Sequence, residues 1–548
     1  MYPTINDLFE KAVSEHSELI ALRMLIPRER KKGRGVKLIL NEISYDRLGE
    51  TVMRLAAALQ ELGVEKADKV ALVSKPRAAW ASAFFGILAC GATVVPLDPE
   101  LQPGEVERIL NEAEVKAIVV SGGKAEEIVR IRESSHGSFA IISMDRPEGE
   151  DVLFLDALVI RQKPLAHPVE VSTDDLAILM YTSGTTGNAK GAMLTHGNIA
   201  SNALTTIGVV ALSSKDNFLS IVPWHHIYGL TITLVCPICT GGATTYAPVD
   251  RNLTQVMLRA KPTIILGVPK LYNVLYGKIR ESIKESFVKR AIFTSSPVLM
   301  GKLVTRKLFG KGFRFFASGG APLNPEVAGG LRDLGIGILE GYGLTETSPL
   351  LTASDIYAES PGMKPIAGVE LVIDNPDENG VGEVVVRGPN VMTGYYKNPE
   401  ATREVINEDG WFHTGDLGKL DEDGKLLLSG RAKNVIVLET GKNVYPEEIE
   451  WELVNISAIE EVMVYEGERQ GAPAVSALVY PNWTYLNSQR IKEPEPALDL
   501  IWEKIRERSE NLAIFKRIKN KDSVSLVDEP FQKSVKLDIK RFVYSKRE

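Results

Sequence analysis

The chain has 548 residues, 44% apolar and 25% charged, with a net charge of −7. That length exceeds one ordinary core and predicts several domains. The composition excludes a disordered chain, and the acidic balance argues against a general nucleic-acid binder.

In chain order, the N-terminus shows no basic stretch followed by an apolar core, so a cytoplasmic protein is expected. Residues 45–122 alternate between two patterns. Apolar spacing predicts a helix over 45–62, strands over 70–74, 93–97 and 116–120, and helices over 78–91 and 103–113. Strands separated by such helices imply a parallel sheet covered on both faces, with ligands outside the carboxyl ends of its strands. The apolar run 176–180 reads as a buried strand. It leads into Tyr181-Thr-Ser-Gly-Thr-Thr-Gly-Asn-Ala-Lys190-Gly191. Backbone N–H groups and hydroxyls on a glycine-rich loop make a cradle for phosphate oxygens, and Lys190 adds a point charge. The spacing is not that of a P-loop, because Gly184, Gly187 and Lys190 fall three apart.

Further on, the apolar stretch 227–240 contains Pro237 and is too short to span a bilayer. Cys236-Pro-Ile-Cys239 within it has redox spacing, but the only other cysteine is Cys90, so no zinc site is completed and buried structural thiols are expected. Just before it, His225 and His226 are adjacent; on a strand such neighbours point to opposite faces and chelate one ion poorly. The segment 278–314 carries ten Lys and Arg against only Glu281 and Glu285. It reads first as a solvated helical face, and second as a contact for anionic lipid surfaces or CoA phosphates. Between 368 and 430 short strands and Gly/Asp turns suggest a small β-rich subdomain. A boundary near 430 leaves a stretch that reads as a small α+β domain.

Four more segments share the polarity of a nucleotide site: Ala317-Ser-Gly-Gly-Ala-Pro-Leu323, Gly341-Tyr-Gly-Leu-Thr-Glu-Thr347, Phe412-His-Thr-Gly-Asp-Leu-Gly418, and Gly430-Arg-Ala-Lys-Asn434 leading to Gly441-Lys-Asn-Val-Tyr-Pro-Glu-Glu-Ile-Glu450. With the hydroxyl-rich loop, these five signatures in this order resemble the adenylate-forming superfamily of acyl-CoA synthetases, peptide-synthetase adenylation domains and luciferases. The resemblance covers nearly the whole chain. The text from Gly441 and Val268-Pro-Lys-Leu-Tyr272 look most like long-chain fatty acyl-CoA synthetases.

The resemblance implies an α/β fold. A large N-terminal domain (1–430) would hold two parallel-type sheets with helices plus a small β-barrel, the β-rich 368–430. A mobile α+β C-terminal domain (431–548) would follow, swinging about Lys433. It also implies two half-reactions: a carboxylate and ATP give an acyl-adenylate, then the CoA thiol displaces AMP. By resemblance Thr182, Ser183, Gly184, Thr185, Thr186, Gly187 and Lys190 hold the β- and γ-phosphates. Glu346 matches the Mg²⁺ ligand, and Thr345 touches the α-phosphate. Tyr342, Gly343 and the Gly319-Gly320-Ala321 backbone enclose adenine. Asp416 accepts from the ribose hydroxyls, and Arg431 reaches ribose or phosphate. His226 in Pro223-Trp-His-His226-Ile-Tyr-Gly229, together with Gly441, belongs to the acyl and CoA path. Trp224, His225 and the apolar residues 230–235 suit an aliphatic acid better than an amino acid.

Two departures from the family pattern stand out. Ala189 replaces the usual proline before the loop lysine. Near the C-terminus the family has Thr-x-x-x-Lys-Ile-x-Arg, whereas aligning Ser534 and Ile539–Arg541 puts Asp538 at the lysine position. Lys536 in a shifted register is the favoured substitute, with Lys540 the other. The expected reactants are a fatty acid, ATP with Mg²⁺, and CoA, with no nucleic acid. Peripheral contact with the inner face of the membrane and a homodimer stay open. Two alternatives remain: an acyl- or aryl-acid adenylating enzyme using another thiol, and a catalytically weak lipid- or nucleotide-binding homologue.

Overall fold

The computed structural model describes residues 2–29, 36–135, 137–147, 149, 151–182, 189–247, 253–358, 362–439, 442–469, 472–510, 512–533 and 539–544. Two compact units divide them. The first comprises Met1–Thr182, Lys190–Glu370 and Arg387–Ile406; the second is chiefly Leu371–Val386 and Asn407–Glu548.

The alternation predicted over 45–122 is present within a residue or two. Helices Tyr45–Glu61, Ala78–Ala89 and Pro103–Ala113 alternate with strands Lys69–Val73, Thr93–Leu97 and Val115–Val120. Ser44 caps the first helix through the Arg47 amide, and Pro103 opens the third, where a missing N–H costs nothing. The strands are almost wholly apolar because helices cover both faces. They belong to an eight-stranded sheet whose members Thr93–Leu97, Lys69–Val73, Val115–Val120, Ala140–Ser143 and Leu153–Phe154 run parallel. Its other end differs. Leu176–Thr182 pairs parallel with Thr93–Leu97 but antiparallel with Lys190–Thr195, which pairs antiparallel with Gly394–Tyr395.

The first unit's other sheet has nine strands. Its centre is parallel: Ala243–Tyr246, Asn217–Ser220, Ile264–Gly267, Phe315–Ser318 and Gly337–Gly343 lie side by side. Aromatic and aliphatic residues such as Tyr272, Phe309 and Phe316 fill the space between this sheet and its helices. Residues 227–239 form a continuous, mostly buried helix that widens to a π-helix over Thr231–Val235. Burial raises the thiol of Cys239 to about 12 and that of Cys236 well above its usual value, in keeping with inert structural thiols. None of the described helices is long and apolar enough to cross a membrane.

In the second unit, the β-rich stretch forms a four-stranded sheet ordered Glu370–Asp374, Gly382–Arg387, Phe412–Leu420, Leu426–Arg431. A separate three-stranded sheet pairs Ile459–Arg469 with Ala472–Pro481 and Val524–Leu526. Helices Pro446–Leu453 and Pro494–Ser509 close its core through Ile449, Leu453, Ile501 and Ile505.

Candidate active site

Four adjacent parallel strands of the nine-stranded sheet end on the same side, and each carboxyl end runs into one of the sequence motifs. Asn217–Ser220 leads to Pro223–Gly229, Ile264–Gly267 to Val268-Pro269, Phe315–Ser318 to Gly319–Ala321, and Gly337–Gly343 to Thr345-Glu346. This is where an α/β sheet presents ligand-binding loops. Packing holds the glycines. A Cβ on Gly319 would lie 2.9 Å from the ring and hydroxyl of Tyr228, and one on Gly343 only 1.7 Å from the Pro349 carbonyl oxygen. Gly320 has φ +82°, a left-handed conformation with open space around it. Burial keeps the Tyr228 phenol protonated, and its hydroxyl donates to the Gly267 carbonyl at 3.4 Å. Tyr272 donates to the carbonyls of Ile265 and Ala317, tying the strand that feeds the Gly319 turn to its neighbour Ile264–Gly267.

Thr345 and Glu346 stand in a single 3₁₀ turn, Thr345–Thr347, with Thr345 buried. Two buried asparagines grip that turn. The Nδ2 atoms of Asn202 and Asn390 both donate to the carbonyls of Thr347 and Leu350. The Met392 amide donates to the Glu346 carbonyl, fixing the backbone below the carboxylate. The carboxylate itself accepts from Tyr395, whose hydroxyl lies 2.9 Å from Oε1. Burial first, and the Glu346 charge second, hold the Tyr395 phenol far above its usual range, so it is a donor. On its ring side Tyr395 faces Lys190, with Nζ 5.1 Å from the centroid. Register explains this triad, because Tyr395 sits opposite Ala192, two residues beyond Lys190. Tyr342, half-buried, lies on the strand that precedes the turn, opposite Thr352.

Lys190 begins a strand directly paired with Thr182, and the Thr182 hydroxyl donates to the Lys190 carbonyl at 3.4 Å. The hydroxyl-rich loop therefore joins two antiparallel strands and does not open a helix, which separates it structurally from a P-loop as its spacing did. Ser183, Gly184, Thr185, Thr186 and Gly187 lie outside the described residues, as do Gly441, Lys536 and Asp538.

His225 and His226 correct the expectation of a strand pair. They lie in the turn before the Ile227–Leu230 helix, their rings 4.5 Å apart and tilted by 67°. His225 is buried with neither ring nitrogen hydrogen-bonded, and burial lowers its pKa to about 3. Its Nε2 is 3.6 Å from Asp98 Oδ2, beyond hydrogen-bond reach, so we treat it as neutral and not as an ion-pair partner. Trp224 is a core residue: it packs against Trp80 and Tyr246 and donates to the Thr233 hydroxyl.

The second unit holds the other candidates. Asp416, on the strand Phe412–Leu420, faces Arg431 across the ladder, and Arg431 Nε donates to Asp416 Oδ1 at 2.8 Å. The turn leading to it is pinned: the Gly415 amide donates to Glu383, the His413 ring contacts the same carboxylate at 3.0 Å, and Thr414 donates to the Val384 carbonyl. Lys433 is exposed in the 3₁₀ turn Ala432–Asn434. Further along, Arg541 makes two hydrogen bonds of 2.6 Å to the carboxylate of half-buried Glu450 and another to the Val464 carbonyl.

Sequence reasoning missed Tyr395, Asn202 and Asn390, and gave Glu450, the last residue of its motif, no role of its own. No motif marks the first three, and all four act through partners 40 to 148 residues away. The one available signal was the text Gly394-Tyr395-Tyr396, β-prone aromatics after a glycine; in the structure Gly394 has φ +142°.

Fold and turn geometry together describe a nucleotide-handling α/β enzyme, and comparison with known proteins specifies which. The model of the AMP-binding enzyme family matches residues 26–396, and that of the AMP-binding enzyme C-terminal domain matches 433–547. The chain belongs to the AMP-binding enzyme family. A relative named long-chain-fatty-acid–CoA ligase from Salmonella typhimurium is 31% identical over 504 residues, 84% of this chain and 82% of that protein. A chloroplastic long-chain-fatty-acid–[acyl-carrier-protein] ligase of Arabidopsis thaliana is 28% identical, covering 89% and 78%. Among solved structures, ATP-bound MatB from Rhodopseudomonas palustris superposes with a TM-score of 0.77 at 26% identity, over 99% of this chain and 98% of that one. The adenylation domain of a carboxylate reductase from Mycobacterium chelonae shares the fold, with a TM-score of 0.83 at 21% identity.

Proposed function

We propose that this protein is an ATP-dependent acid–thiol ligase that activates a long-chain fatty acid as the acyl-adenylate and passes the acyl group to CoA. The observation that carries the reading is the Lys190–Tyr395–Glu346 arrangement, in which Glu346 follows the carboxyl end of Gly337–Gly343 and Lys190 faces the carboxyl end of Leu176–Thr182. A carboxylate must attack an already anionic triphosphate, which calls for positive charge and a metal near the phosphates. Lys190 supplies the charge. Glu346 is a hard oxygen donor oriented by the Tyr395 hydroxyl, which fits a Mg²⁺ ligand. Mg²⁺ bound there would neutralise phosphate charge.

The remaining roles follow residue by residue. Thr182, Ser183, Gly184, Thr185, Thr186, Gly187 and Lys190 grip the phosphates, and Thr345 contacts the α-phosphate. Gly319, Gly320, Ala321, Tyr342 and Gly343 enclose the base, while Asp416, oriented by Arg431, takes the ribose hydroxyls. His226 and Gly441 lie on the acyl and CoA path. Lys536 meets the reacting carboxylate during adenylation. The domain division is proposed at 430, with residues 431–548 swinging about Lys433. Preference for a long aliphatic acid is supported by the names of the sequence relatives and by the apolar text after His226.

The test is pyrophosphate release with ATP, Mg²⁺ and fatty acids of graded length, with and without CoA. Turnover that requires CoA and peaks with long chains is expected. Turnover with an acyl-carrier protein in place of CoA would reassign the thiol, and no release with any acid would leave only a binding protein.

A further inference from the structure

In the first unit, three consecutive helices turn an unusual surface outward. Pro269–Lys284 and Pro297–Leu308 anchor themselves in the core through Tyr272, Ile279, Ile283 and Met300. The helix between them, Phe287–Ser295, has no buried residue, and only Ile292 of it packs on the core. Phe287 is 78% exposed and Val288 65%. On the third helix Val298, Leu299 and Leu303 are exposed as well. Exposed Lys302, Arg306 and Lys307 lie three and four residues from Leu299 and Leu303, so cations and apolar side chains share one helix face.

The charge on this surface is one-sided. Arg280 pairs with Glu326, Arg314 with Asp216, and Lys289 donates to Ser282. Among the described residues no ion pair engages Lys284, Arg290, Lys302, Arg306 or Lys307. An ordinary solvated face keeps its exposed positions polar; here Phe287 and Val288 are largely exposed between Lys284 and Arg290, and Glu281 and Glu285 are the only acidic residues of 278–314. That combination fits the boundary between lipid headgroups and acyl chains.

We propose that this surface seats the protein on an anionic lipid bilayer. Phe287, Val288, Leu299 and Leu303 enter the interfacial layer, and Lys284, Arg290, Lys302, Arg306 and Lys307 meet lipid phosphates. A second copy of the chain fits worse, because a two-fold contact would set the same cations against each other. The inference does not depend on which acid is activated.

The test is sedimentation of the full chain with phosphatidylcholine vesicles, with and without phosphatidylglycerol. Binding is expected only to the anionic vesicles and should fall at high salt, where screening shortens to about 3 Å. Each basic residue near such a surface is worth about fivefold in partitioning. Lys302→Glu/Arg306→Glu should therefore weaken binding by well over tenfold, and Phe287→Ser/Leu299→Ser by a comparable factor. Both variants should keep the wild-type melting temperature and pyrophosphate release with a soluble acid. Equal partitioning onto neutral vesicles, or binding that survives both double substitutions, would overturn the proposal. So would a dimer in light scattering that the same substitutions dissolve, which would assign the face to self-association.

Discussion

The hydroxyl of Tyr395 donates to Glu346 Oε1 at 2.9 Å while the face of the same ring lies 5.1 Å from Lys190 Nζ. One side chain thus lies between a carboxylate and an ammonium, and in the proposed roles both stay available for metal and phosphate. A hydrogen bond to a charged group is worth about 1.5–3 kcal/mol. Tyr395→Phe should therefore raise the Mg²⁺ concentration for half-maximal pyrophosphate release about tenfold or more. Tyr395→Leu also removes the ring from Lys190 and should cost a further factor of about 2–5. A Mg²⁺ titration that is unchanged in Tyr395→Phe would remove Tyr395 from this role.

Gly319 and Gly320 are adjacent but are glycines for different reasons. A methyl group at Gly319 meets Tyr228 at 2.9 Å, whereas at Gly320 it meets nothing and the constraint is φ +82°. Gly319→Ala should be the worse of the two, through overpacking of about 1–3 kcal/mol against a half-buried ring. Its KM for ATP should rise, and Gly319→Ala/Tyr228→Leu should recover part of the loss. Gly320→Ala should cost nearer 1 kcal/mol and gain nothing from the change at Tyr228. Thermal melts and ATP-dependent kinetics of the four proteins decide it; identical behaviour of the two alanine variants would refute the distinction.

Much of the first unit was legible because its signals are local. The apolar runs around Val70, Val94 and Ile118 have no polar alternation, as strands covered on both faces should. Pro103 and the small residues of 78–89 likewise announced helices. The motifs located the strand ends. What they could not reveal was which residues from elsewhere hold those ends in place. The partnership of Glu346 with Tyr395 depends on the register of a two-residue strand, and that of Asn390 with Thr347 on a crossing between distant segments. His225 and His226 failed as a strand pair for a related reason: Pro223 and the following helix put them in a turn, which alternation cannot signal.

Asp416 and Arg431 face each other by strand register, with Nε and Oδ1 2.8 Å apart and the carboxylate largely buried. The pair suggests that Arg431 orients the acceptor for the ribose. Asp416→Ala should raise KM for ATP by about 10- to 100-fold, the value of hydrogen bonds to a charged acceptor, with little change in the affinity for the acid. Arg431→Ala should raise it less and leave a residual preference for ATP over 2′-deoxy-ATP, which Asp416→Ala should abolish. Equal discrimination in both variants would contradict this division of labour.

His196 opens the helix His196–Val210 with its ring buried and Nδ1 unpartnered. Burial lowers its pKa to about 4, so the folded state binds a proton less readily than the unfolded chain, whose histidine titrates near 6.5. The sign follows: its contribution to stability is complete above pH 6.5. It declines as pH falls towards 4, by up to about 1.4 kcal/mol per pH unit. His196→Gln should flatten the fall in melting temperature between pH 6.5 and 4.5 relative to the parent. Parallel pH profiles would show that the ring is not buried in its neutral form.

The C-terminal lysine question separates into an anchor and a reactive group. One Arg541 nitrogen donates to both carboxylate oxygens of half-buried Glu450, and the Lys540 amide donates to the Gln532 carbonyl, so the backbone at 540–541 is held in place. A hydrogen bond to a charged group is worth about 1.5–3 kcal/mol, and Arg541→Ala should lower the stability of the second unit by about that much. Lys536 stands four residues before that anchor, and Asp538, at the family's lysine position, would repel both reactants. Lys536→Ala is therefore expected to slow pyrophosphate release with acid and ATP by about 100-fold, the scale of losing one charged group from the transition state. Conversion of preformed acyl-adenylate to acyl-CoA should stay near the parental rate. Lys540→Ala should change neither step by more than about threefold, given its place beside the anchor. Full adenylation by both lysine variants would mean that neither substitutes for the missing residue. The charge would then have to come from elsewhere in the chain.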